Sequence, residues 1–78
     1  MQSYKNLAGN SGILAYAYGE DFIKVQFDDG TIYRYTHAGA GHHHIEQMKM
    51  LALAGKGLST FISQHAQTAY DSKKRPQR

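Results

Sequence analysis

The 78 residues suffice for one domain. A chain of this size buries only about 60% of its unfolded surface, so a thin core is expected. No cysteine is present, which excludes a disulfide framework, thiol catalysis and a thiolate zinc site. The formal charge of +3 belongs to the end of the chain: Lys73, Lys74, Arg75 and Arg78 follow residues 1–72, which carry five basic and six acidic groups, a net −1.

Residues 1–10 read as an irregular N-terminus. They hold no apolar leader core, and no run is long enough to span a bilayer, so a soluble, cytoplasmic chain is expected. Residues 12–18 read as a first strand, with Leu14, Tyr16 and Tyr18 on one side. Gly19-Glu20-Asp21 turns the chain into a second strand over 22–27, where Ile23, Val25 and Phe27 alternate with Lys24 and Gln26. A third strand covers 31–36, with Tyr33 and Tyr35 alternating with Ile32 and Arg34.

The turn between these two strands admits two registers. If Asp28-Asp29-Gly30 is a three-residue loop with Gly30 left-handed, Val25 lies opposite Tyr33 and Lys24 opposite Arg34. If Asp29-Gly30 is a two-residue turn, the second strand swaps faces and its tyrosines join Lys24 in solvent. The first register separates polar from apolar side chains better.

After His37-Ala38-Gly39-Ala40-Gly41 the period changes to that of a helix. Ile45, Met48, Leu51 and Ala52 share one face of a helix over 42–54, which Gly55 ends. A second helix is expected over 58–70, with Leu58, Phe61, Ile62, His65, Ala66 and Ala69 on its apolar stripe. The fold class that follows is α+β: a three-stranded antiparallel β-meander with two helices packed on one face and the other face solvated. Residues 11–70 form the domain, and 71–78 a basic tail expected to be flexible.

The candidate sites are few. Three successive histidines, His42, His43 and His44, point about 100° apart on a helix and cannot converge on one ion. Only His42 and Glu46 share a face, so no metal site is expected. His65 has no partners for a catalytic constellation, and neither catalytic residues nor cofactors are expected. Gly55-Lys56-Gly57-Leu58-Ser59 places a lysine and hydroxyl at a helix start, where free N–H groups can hold an anion through Lys56, Gly57 and Ser59. The alternative is that Gly57 makes the turn and Ser59 merely caps the helix. On the open sheet face, Lys24 and Arg34 repel each other across the ladder, which a bound anion would relieve. The tail adds Lys73, Lys74 and Arg75.

The order Ser11-x-Ile13, Tyr16-x-Tyr18, Val25-x-Phe27, Gly30, Tyr33-x-Tyr35 and Ala54-Gly55-Lys56-Gly57 resembles the KTSC domain. This small bacterial domain occurs at the C-terminus of some lysyl-tRNA synthetases and as a stand-alone protein. Family members often have Val-Pro after the Tyr-x-Tyr strand and Ser-Lys-Gly after the helix. This chain has Thr36-His37-Ala38-Gly39 and Gly55-Lys56-Gly57 instead. The resemblance implies a non-enzymatic binding module near RNA. Nucleic acid, RNA or DNA, is the expected partner. A protein partner or a homodimer, joined through an edge strand or the Ile13/Ile32 side of the sheet, is the alternative.

Overall fold

The computed structural model describes residues 1–7, 9, 11–66 and 68–75. It is an α+β fold: one antiparallel sheet with helices packed against it. Among the described residues, five strands lie in sequence order: β1 (Gln2–Ser3), β2 (Ile13–Tyr18), β3 (Phe22–Phe27), β4 (Ile32–Thr36) and β5 (Ser72–Lys74). Three α-helices, α1 (His37–Ala40), α2 (His42–Ala54) and α3 (Leu58–Phe61), are followed by a π-helical segment, Ile62–Ala66. Among the described residues, no helix is long and apolar enough to cross a membrane.

The central hairpin has the register of the three-residue loop. Val25 pairs with Tyr33, Ile23 with Tyr35 and Lys24 with Arg34, while Gly30 is left-handed at φ 88°. The turn is closed by the Phe27 N–H donating to the Thr31 carbonyl and the Gly30 N–H donating to the Phe27 carbonyl, each at 2.9 Å. Asp29 Oδ1 accepts from the Thr31 N–H at 2.9 Å, and the backbone and hydroxyl of Thr31 together hold the Asp29 carboxyl below its usual range. Gly30→Val is expected to lower stability by about 1–2 kcal/mol, the cost of a left-handed residue with a Cβ. An unchanged urea midpoint in that variant would contradict the turn.

The core forms where the inner sheet face meets α2 and the last helical segment. Ile23, Val25 and Tyr35 pack with Ile45, Met48, Ala52, Leu58, Ile62 and Ala66. The apolar face predicted for α2 is the one that is buried, and Gly55 ends the helix in the left-handed conformation, φ 79°. The same reading of β3 and β4 places Phe27 and Tyr33 at the core's margin, where their rings meet edge to face at 5.4 Å.

Five expectations need correction. The sheet has five strands rather than three, because both terminal segments add to its edges: Gln2 and Ser3 pair with Tyr16 and Ala15, and Ser72, Lys73 and Lys74 pair with Arg34, Tyr33 and Ile32. Neither segment has alternating burial, so neither carries a strand signature. Residues 37–40, for which no element was expected, make one helical turn because the Thr36 hydroxyl accepts from the Gly39 N–H at 3.1 Å. The helix expected over 58–70 is α-helical only to Phe61 and then widens into the π segment, while Gln67 lies outside the described residues. Burial there follows Leu58, Ile62 and Ala66 at steps of four, which leaves His65 exposed rather than on the stripe. In β2, Leu14 does not share a side with Tyr16. The register slips between Ile13 and Ala15, which turns Ile13 into the core and leaves Leu14 51% exposed.

Candidate functional site

The outer face of the sheet is built by parity. Ile23 and Val25 point into the core, so Phe22, Lys24 and Gln26 point out, and through the ladder they meet Thr36, Arg34 and Ile32. Lys24 and Arg34 therefore stand side by side, as the hairpin register predicts. On β5, Lys74 pairs with Ile32 and so shares this face, while Lys73 pairs with Tyr33 and turns to the other, its ammonium 5.3 Å from the Tyr33 ring centre. Arg75 follows β5 and is exposed; residues 76–78 lie outside the described residues.

Phe22 is the aromatic of this face. Its half-buried ring rests against Gly19 in the preceding turn, where a side chain at residue 19 would collide with it. The Lys24 ammonium lies 5.9 Å and the Arg34 guanidinium 5.3 Å from the ring centre. Both are within cation–π range, so the ring lies beside two cations. Arg34 also donates to Asp71 Oδ2 at 3.0 Å, a surface pair that partly neutralises it and moderates its repulsion from Lys24. Phe22 was missed in the sequence reading, although its parity with Lys24 in the strand was the available signal.

Tyr33 and Tyr35 belong to the inner face and are not available to this surface. Tyr35 is 1% exposed, and burial, with the neighbouring phenols of Tyr33 and Tyr70, pushes its hydroxyl well above the ordinary tyrosine range. With Phe27, Ser59 and Ile62 they line a separate cleft of about 350 Å³ between the hairpin and the π segment.

The Lys56 region lies in the turn between α2 and α3, and the Leu58 N–H next to it is taken by the Tyr4 hydroxyl at 3.4 Å. Gly57, left-handed at φ 84°, is the N-cap of α3 and supplies no side chain, and α3 is a single turn. Ser59 sits inside that turn and does not cap it. Ile13 is buried, so the Ile13/Ile32 surface expected for a protein contact does not exist as one face. Both sheet edges are short, and β5 carries lysines, a pattern that discourages edge-to-edge pairing.

The histidine triplet diverges, as helix geometry requires. His42 faces His37, with ring centres 4.5 Å apart, and His44 faces Phe61 at 5.6 Å and His65 at 5.8 Å. Glu46, one turn after His42, accepts from Lys49 at 2.9 Å and shares a 3.0 Å hydrogen bond with His37 Nε2. Those two contacts, Lys49 first, hold its carboxyl below the usual range. In comparisons with known proteins, the chain matches no family model, no curated protein and no solved structure.

Proposed function

We propose that the chain is a non-enzymatic binding module whose outer sheet face takes single-stranded nucleic acid. The observation that carries this reading is Phe22 beside the paired cations Lys24 and Arg34, with Lys74 on the same face. A flat ring on an open sheet stacks one base, and the cations beside it meet neighbouring phosphates. The absence of a side chain at Gly19 leaves room for the ring. The resemblance to the KTSC domain, carried by the hairpin motif and by Lys56-Gly57, favours RNA through that family's association with a tRNA synthetase.

Fluorescence anisotropy with short single-stranded RNA and DNA, at low and moderate salt, tests the proposal. Binding is expected to weaken as salt rises. Phe22→Ala should cost about 1–3 kcal/mol of binding, the worth of one stacked base. Lys24→Ala should reduce the logarithmic salt slope by about 0.7, one phosphate contact on a single strand. Asp71→Asn should tighten binding by freeing Arg34. No binding at low salt, or full binding by Phe22→Ala, rules the reading out. Sedimentation at two concentrations addresses the rival: a concentration-dependent dimer without nucleic-acid affinity would favour self-association.

A further inference from the structure

We infer that His37, His42 and Glu46 form a site for a divalent transition metal of the zinc class. Each offers one ligand atom, and these atoms lie within 4.8 Å of one another. His42 and Glu46 sit at i and i+4 on α2, the spacing that stacks two side chains on one face. The third ligand comes from outside that helix. His37 opens α1, its N–H donates to the Asp21 carbonyl at 2.9 Å, and the turn at Gly41, φ 93°, between α1 and α2 brings α2 back beside it. His37 stands outside the triplet, so helix spacing alone could not add it to His42 and Glu46.

The distances suit the chemistry. Ligands about 2.0–2.1 Å from a tetrahedral ion lie about 3.3–3.4 Å from each other. His37 Nε2 and Glu46 Oε2 are already 3.0 Å apart, and the His42 ring lies beside His37 with its plane tilted by 59°. An ion here takes the place of the hydrogen bond between those two atoms: His37 presents Nε2 as its free nitrogen and carries its ring hydrogen on Nδ1. Two imidazoles and a carboxylate select zinc, cobalt or nickel over magnesium or calcium, which prefer oxygen alone. Three protein ligands leave a fourth position for water. Glu20 and Asp21 line the same open cleft, about 740 Å³, and their negative charge favours a cation. Lys49 opposes it. Its ammonium holds Glu46 Oε2 at 2.9 Å and is anchored by the Glu20 carbonyl at 2.9 Å, so it competes with the ion for the carboxylate.

The experiment titrates the full chain with zinc chloride, and separately with cobalt chloride, in a non-chelating buffer at neutral pH. Expected are one equivalent bound and a cobalt visible spectrum of four-coordinate intensity. His37→Ala and Glu46→Gln should each weaken binding by at least the roughly 10- to 100-fold that loss of an outer-sphere partner costs. Lys49→Gln should tighten it. His43→Ala is the control, since His43 is exposed and outside the group. Absence of saturable binding overturns the inference. So does equal weakening by His43→Ala and His37→Ala, which would mark a histidine tract binding adventitiously. Circular dichroism confirms that each variant is folded, and the cobalt spectrum reports ligation independently of stability. None of these outcomes depends on nucleic-acid binding.

Discussion

Tyr4→Ala is expected to destabilise the protein by about 3–5 kcal/mol, the range for deleting a buried aromatic side chain. Tyr4 is 5% exposed and packs in the same core as Ile13, Tyr16 and Leu58. Its N–H donates to the Leu14 carbonyl at 2.9 Å, and its hydroxyl accepts from the Leu58 N–H at a long 3.4 Å. The side chain thus joins the sheet edge to the start of α3. At about 0.05–0.15 kcal/mol per residue, the whole domain holds only about 4–12 kcal/mol. The loss should therefore lower Tm by about 12 °C or more. Tyr4→Phe separates the two contributions: it keeps the packing and removes one weak hydrogen bond, for about 0.5–1.5 kcal/mol. A Tyr4→Ala variant that melts with the parent would show that the N-terminal segment does not belong to the core.

Gly55→Ala is the second large effect. Gly55 is left-handed, and an added Cβ would lie 2.6 Å from the Lys5 Cβ, so two costs coincide. The backbone conformation costs about 1–2 kcal/mol, and the collision, which forces the N-terminal segment away, about 1–3 kcal/mol more. The contact at risk is the 2.7 Å hydrogen bond that Leu7 N–H donates to the Gly55 carbonyl. Shortening Lys5 to glycine removes the colliding atom. In the Gly55→Ala background, Lys5→Gly should restore the collision's share and leave the conformational share untouched. If the double variant is no more stable than Gly55→Ala alone, the N-terminal segment is not pressed against the helix end. Urea denaturation of the four proteins in the cycle measures this directly.

The two stability predictions concern the same joint. The segment holding Tyr4 and Lys5 reaches across to Gly55 and Leu58, and Asn6, left-handed at φ 53°, turns the chain there by accepting from the Ser11 N–H and hydroxyl. The outer face and the histidine cleft are built by other residues, so Tyr4→Ala and Gly55→Ala in their folded fractions should retain both binding activities.

The sequence alone determined the central hairpin and α2. Alternation of Ile23 and Val25 with Lys24 and Gln26 assigns each side chain a face, and the better separation of polar from apolar side chains favours the three-residue loop Asp28-Asp29-Gly30, whose register places Lys24 beside Arg34. Ile45, Met48 and Ala52 repeat at the helical period and are all buried. These elements are legible because each is buried on one side only, and one-sided burial leaves a period in the sequence. Tertiary structure decided the rest. Gln2–Ser3 and Ser72–Lys74 are exposed throughout, so they carry no period; what makes them strands is a row of unpaired backbone groups on the edges of β2 and β4. The slip at Leu14 and the widening after Phe61 let side chains reach a core whose shape no local pattern encodes. Lys74 comes to the outer face, and His37 comes to His42 and Glu46, for the same reason. Such groupings join residues from separate elements, and only packing sets the distance between them.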